Sequence, residues 1–78
     1  MILVRFFAAA RAAAGTAEAK FDAATMHELI EVLHGQHPRL AEVLPRCTYL
    51  VDGLTCHDRA AWLPDGVTVD VLPPFAGG

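Results

Sequence analysis

Two glycines, Gly77 and Gly78, close the sequence directly after Leu72-Pro73-Pro74-Phe75-Ala76. Glycine has no Cβ and unusually wide backbone freedom. A Gly-Gly end is thin enough to thread into a narrow enzyme channel, and it finishes in a carboxylate. A free carboxylate is a poor acyl donor until an activating group gives it a leaving group. The chemistry this ending suggests is therefore acyl activation at Gly78, with Gly77 keeping the approach slender. Chain ends are also commonly frayed for lack of any structural demand, so the reading needs support from the residues before it.

Other side chains that could do chemistry are sparse. Cys47 and Cys56 are nine residues apart, which matches neither a metal knuckle nor a redox dithiol, and they read as reduced thiols of a cytosolic domain. His34 and His37 are three apart with Gly35 between them, and His27 faces another way. No thiol or carboxylate completes a ligand set at zinc spacing, so the histidines read as solvated and no metal is expected. His57-Asp58 follows Cys56 and could suggest an activated thiol, but nothing nearby reads as an oxyanion donor. No glycine-rich phosphate loop ending in Lys-Ser or Lys-Thr is present.

At 78 residues there is room for one domain, and a chain of this size buries only somewhat over ~60% of its unfolded surface. The composition is 54% hydrophobic, with alanine contributing heavily, and the net charge is −3. Arg5, Arg11, Lys20, Arg39, Arg46 and Arg59 are scattered and form no stripe, which argues against nucleic-acid binding. No run of eighteen apolar residues offers a membrane span. The start, Met1-Ile2-Leu3-Val4-Arg5, lacks the basic region of a signal peptide, so the expected location is the cytoplasm.

The elements that must position the tail are legible. Ile2 to Phe7 reads as a strand with Ile2, Val4 and Phe6 on an apolar face and Leu3, Arg5 and Phe7 on a mixed one. Alanine-rich 8–14 favours a short helical turn that Gly15 ends, and 16–21 suggests a second strand. Thr25 with Glu28 makes a capping box ahead of Met26, Leu29, Ile30 and Leu33, one helical face running to about His34. Gly35 and Pro38 stop it, and 39–44 allows a further short turn. Residues 47–51 and 54–56 form a hairpin around Asp52-Gly53. Residues 58–65 read as a loop into which Trp62 and Leu63 tuck. After the Asp65-Gly66 turn, Val67, Val69 and Val71 face inward while Thr68 and Asp70 face outward. Pro73-Pro74 ends that strand.

The order β, β, α, β, β, β implies an α+β domain, a mixed sheet of four or five strands on one main helix. That is a β-grasp, with the first and last strands adjacent at its centre. It assigns residues 1–74 to the domain and 75–78 to a flexible tail that the prolines hold extended at its exit. Phe7 and Leu72 then sit on the outer faces of neighbouring strands. With Phe75 on the tail they form a candidate partner patch, since aromatic anchors often dominate interfaces.

With these features in hand, the chain resembles the MoaD/ThiS family of sulfur carriers, which share the ubiquitin-like fold. Val4-Arg5-Phe6-Phe7-Ala8 with Arg11 and Gly15-Thr16, Asp65-Gly66-Val67-Thr68-Val69, and the ending from Leu72 to Gly78 are similar to the molybdopterin synthase small subunits of that family. The resemblance implies a mechanism. An adenylating enzyme akin to those that activate ubiquitin uses ATP to couple AMP to Gly78. A persulfide donor system then converts the acyl-adenylate to a thiocarboxylate. The large subunit of molybdopterin synthase takes up the tail and passes the sulfur to a pterin precursor, in a complex with two small subunits at opposite ends of a large-subunit dimer. The carrier itself binds no cofactor. Phe75 and Ala76 depart from the Val or Ile and the Ser or Thr frequent in that branch, and Ala-Gly-Gly is common among thiamine-type carriers. Sulfur delivery to thiamine thiazole or cysteine synthesis, or use as a ubiquitin-like modifier, therefore stays open.

Overall fold

A computed structural model describes residues 1–74. The elements in chain order are β1 (Ile2–Phe6), α1 (Ala8–Ala14), β2 (Glu18–Phe21), α2 (Met26–His34), α3 (Pro38–Val43), a 3₁₀ turn (Leu44–Arg46), β3 (Thr48–Val51), β4 (Leu54–Thr55) and β5 (Thr68–Leu72). The five strands form one mixed sheet in the order β2-β1-β5-β3-β4. The first and last strands run parallel at its centre, with Val4 opposite Val69 and Phe6 opposite Val71. All other pairings are antiparallel.

Local chemistry accounts for the element boundaries. Gly15 closes α1 in the left-handed region (φ 75°), its N–H donating to the Arg11 carbonyl. Thr25 caps α2, its hydroxyl accepting from the Glu28 N–H at 3.2 Å. Asp52 and Gly53 both take positive φ (46° and 86°), the signature of the two-residue turn whose twist matches the strands it joins. The Asp52 carboxylate also accepts from the Thr68 N–H at 2.9 Å, tying the hairpin to β5. Ala8, the first residue of α1, takes a positive φ of 49°. That is an unfavoured conformation for an alanine, and it lets α1 start directly after β1.

The core lies between the inner sheet face and the helices. Val4 and Val69 are 0% exposed, and Leu29 and Leu33 meet them from α2. Leu40, Leu44 and Leu63 are buried in the same cluster.

The helical turns expected at 8–14 and 39–44 are present as α1 and α3. Two features differ from the sequence reading. Pro38, expected only to stop α2, occupies the first turn of α3, where its missing N–H has no partner to lose, and the His37 Nδ1 accepts from the Arg39 N–H at 3.2 Å as the cap. Trp62 does not tuck in: it is 76% exposed. The segment around it is extended, with Met26 N–H donating to the Ala61 carbonyl and Leu63 N–H to the Ala24 carbonyl. Alternation along that extended stretch gives the core to Leu63 and turns Trp62 outward.

This distribution predicts a clear contrast in stability. Leu29→Ala lowers the free energy of urea unfolding by about 2–5 kcal/mol, whereas Trp62→Ala stays within about 0.5 kcal/mol of the parent. Equal effects at the two positions would contradict the packing described.

Candidate functional site

The outer face of the sheet is built by register. Arg5 of β1 lies opposite Asp70 of β5, and Leu3 lies opposite Thr68. On the β3 side Leu50 faces Asp70 and Thr48 faces Leu72, and on the β2 side Glu18 faces Arg5 and Lys20 faces Leu3. The helices cover the opposite face, so this one is uncovered among the described residues.

Asp70 occupies the middle of it. The valine alternation points Asp70 outward, as the sequence indicates, but the residue is buried. The reason is Arg5. Its Nε donates to one carboxylate oxygen at 2.7 Å and its Nη2 to the other at 3.2 Å. The Asp70 side chain is 13% exposed and that of Arg5 is 47% exposed. A carboxylate removed from water to this degree requires a charged, hydrogen-bonded partner, and the planar guanidinium fork matches its two oxygens. The hydrogen bond to Asp70, and then its charge, push the Arg5 guanidinium further above its already high ordinary range. The guanidinium also lies over the Phe7 ring, 5.5 Å from its centroid.

Sequence reasoning placed Arg5 and Asp70 on the outer faces of adjacent strands without joining them. The signal was available, in opposite charges at matching positions of two strands that had to be neighbours.

Phe7 and Leu72 flank the pair. Phe7 follows β1 as the N-cap of α1 with extended backbone, and its N–H donates to the Val71 carbonyl at 3.2 Å. Its ring is partly exposed. Leu72 is the last residue of β5 and is half-buried. Pro73 beyond it is buried and Pro74 is exposed. The chain is thus anchored up to Pro73, at the end of the central strand, beside Phe7 on one neighbour and Thr48 on the other. Phe75, Gly77 and Gly78, the remaining candidate residues, lie outside the described residues.

The model of the ThiS family matches residues 4–78. The chain belongs to that family. A curated relative, the molybdopterin synthase sulfur carrier subunit of Chlamydomonas reinhardtii, is 33% identical over 82 aligned positions covering 99% of this chain and 98% of its own length. In the solved complex of subunits 1 and 2 of the molybdopterin-converting factor from Helicobacter pylori 26695, the matching chain is 26% identical. Its TM-score is 0.80, over 99% of this chain and 97% of that one. SAMP1 from Haloferax volcanii superposes with a TM-score of 0.85 over 99% of this chain and 98% of that one. At 23% identity this last likeness speaks to fold alone. The fold is the ubiquitin-like β-grasp that the order of elements implied.

The other reactive groups of this ThiS-family chain serve its packing. Cys47 and Cys56 are both free thiols lining a cavity of about 160 Å³ together with Tyr49, His57 and Arg59. The Cys47 thiol donates to the Val43 carbonyl at 3.3 Å, and burial pushes its pKa up to about 11. Tyr49 donates to the Leu44 carbonyl at 3.2 Å, and burial, with Cys47 beside it, pushes its phenol up to about 12. The Cys56 thiol donates to the Asp58 carbonyl at 3.4 Å, while the Asp58 carboxylate accepts from the Ala60 N–H at 2.9 Å. The side chains of Cys56 and Asp58 are thus both engaged by local backbone groups, and among the described residues the thiol makes no hydrogen bond to the His57 imidazole. Among the described residues, no three or more His, Cys, Asp or Glu side chains gather where a metal ion could sit. No helix there is long and apolar enough to cross a membrane.

Cys47 gives a measurable pH signature. The thiolate is the reactive form, and the rise from 9.0 to about 11 lowers its population near pH 8 roughly a hundredfold. Alkylation of Cys47 by iodoacetamide, followed by peptide mass spectrometry, is expected to be slower by at least that factor in the native protein than in urea. A raised acid pKa favours the folded state below the ordinary value, and this contribution disappears as the pH climbs from 9 toward 11. Equal native and denatured rates would show that the thiol is not buried as described.

Proposed function

We propose that this chain is the sulfur-carrying small subunit of a molybdopterin synthase, and that the carboxylate of Gly78 is the group it brings to the chemistry. The observation that carries the reading is the family match running through Gly78, downstream of a central strand that ends at Leu72, beside Phe7. The curated relative bearing that name, 33% identical over nearly its full length, supports the same destination for the sulfur.

In this reading a carboxylate oxygen of Gly78 attacks the α-phosphorus of ATP on an adenylating enzyme, and pyrophosphate leaves. A persulfide of the sulfur donor system attacks the acyl carbon and expels AMP. A second thiol then cleaves the resulting acyl disulfide, leaving a thiocarboxylate on Gly78 and a disulfide on the donor. The large subunit receives the tail, transfers the sulfur to its pterin substrate and returns a plain carboxylate. ATP is bound by the adenylating enzyme, and this chain binds no cofactor.

The domain supplies position. The tail is tethered to a rigid central strand, so docking of the sheet's outer face presents the acyl group at high effective concentration. Gly77 and Gly78 add no Cβ to obstruct a narrow entry. Phe7 and Leu72 on that face, together with Phe75, provide the apolar contact that the partner covers. Complex formation by the Helicobacter pylori chain at 26% identity supports a protein partner.

Incubation with ATP, the adenylating enzyme and a persulfide donor is expected to add the mass difference between sulfur and oxygen to the intact chain, and Gly78→Val to abolish the gain without altering the fold. Covalent attachment to other proteins would instead make the chain a modifier, and an unchanged mass would remove the carrier reading. Sulfur transfer to thiamine thiazole or cysteine synthesis, with none to the pterin on adding the large subunit, would redirect the carrier.

Phe7→Ala and Leu72→Ala are each expected to weaken binding of the adenylating enzyme by about 1–2 kcal/mol in calorimetry, with unchanged far-UV circular dichroism. Affinities equal to the parent's would move the interface elsewhere.

A further inference from the structure

The outer face that Phe7 and Leu72 mark is not uniformly apolar, and its centre is the Arg5–Asp70 pair. Asp70 takes up the Nε–H and one Nη2 N–H of Arg5, two of the five donors that a guanidinium carries. The remaining donors meet no acceptor among the described residues, and the side chain is 47% exposed; Glu18, opposite Arg5 on β2, acts on the guanidinium through its charge without a hydrogen bond. The Phe7 ring lies against the guanidinium, so the group is pinned from two sides and presents its outer edge in a fixed direction. Leu3 and Thr68 lie on one side of the pair along the strands, and Phe7 and Leu72 on the other.

A protein covering this patch strips water from the outer edge of Arg5. A wholly apolar counter-surface would leave charged N–H groups without partners, which is heavily unfavourable. A counter-surface with an oxygen acceptor at that point would gain charge-assisted hydrogen bonds whose direction is already set. The pair is therefore unsuited to an apolar partner and suited to one apolar surface carrying one well-placed acceptor.

We infer that Arg5, held by Asp70 and Phe7, is a specificity-determining residue of the docking face, selecting an adenylating enzyme that presents an acceptor oxygen, carboxylate or backbone carbonyl, to its outward N–H groups. This rests on the reading of the outer face as the docking surface of a sulfur carrier. Asp70 and Phe7 are positioning residues that aim the guanidinium.

The test combines three variants with two readouts. Replacing both partners by Arg5→Leu with Asp70→Ala removes the charges together and leaves no buried carboxylate alone, so this double variant folds and melts close to the parent. Arg5→Leu by itself orphans Asp70 and melts below the double variant. Arg5→Lys keeps the charge next to Asp70 but loses the fork. The adenylating enzyme of the same organism is titrated with each folded variant by calorimetry, and pyrophosphate release is followed at rising carrier concentration. The expected result is an affinity loss of at least about tenfold for the double variant and about threefold or more for Arg5→Lys. The rise in KM should match these losses, with kcat at saturation unchanged. Affinities within twofold of the parent for both variants overturn the inference while the parent is still adenylated, and the carrier reading then stands. If the parent itself is neither bound nor adenylated, the carrier reading falls and takes this inference with it.

Discussion

Parallel pairing of the first and last strands is the constraint on which the rest of the molecule depends. It places Val4 against Val69 and Phe6 against Val71 in the middle of the sheet, and residues at these four positions are almost wholly withdrawn from water. Parallel neighbours cannot be joined by a tight turn, so everything between β1 and β5 acts as one long crossover. The crossover packs α2 and α3 over the inner face and, among the described residues, leaves the outer face uncovered. The same pairing fixes where the chain leaves the sheet. β5 ends inside the fold, between β1 and β3, and Pro73 is still buried there. A strand at the centre of a sheet is held by neighbours on both sides, an anchor that an edge strand would lack.

The Arg5–Asp70 pair follows from that register. Two outward positions fall opposite each other on adjacent central strands, and the sequence fills them with opposite charges. The pair keeps the most central point of the outer face polar, so the face is not a continuous apolar sheet inviting indiscriminate association. Arg5 combines two interactions in one side chain, a bidentate pairing with the Asp70 carboxylate and a guanidinium carbon placed over the Phe7 ring.

Much of this was legible in the residues, and for identifiable reasons. The Asp52-Gly53 hairpin, the Thr25 cap, the Leu29 and Leu33 stripe and the valines of β5 are local signals, each decided within a few positions of sequence. What escaped depends on distant neighbours. Asp70 read only as outward-facing, because alternation specifies a face but not what covers it, and the covering group lies sixty-five residues away in the chain. Trp62 looked like a core residue by type, yet backbone pairing with the start of α2 gave the inward direction to Leu63. Pro38 read only as a terminator because the same residue that stops one helix also favours the first turn of the next, and the turn expected at 39–44 was not extended back to it. For the candidate site, Phe7 and Leu72 were locatable from periodicity once the two central strands were paired. Arg5 was placed on the same face as Phe7, but its pairing with Asp70 was not drawn from the two opposite charges.

The most direct test of the account is a titration of the isotopically labelled chain with its adenylating enzyme, followed by amide NMR. If the outer face docks and the tail enters the partner, the signals of Leu3, Arg5, Phe7, Asp70, Leu72 and residues 75–78 shift or broaden together, while those of α2 and of Trp62 keep their positions. Perturbation centred on α2 or the Trp62 loop, with Phe7, Leu72 and Gly78 unmoved, would contradict it.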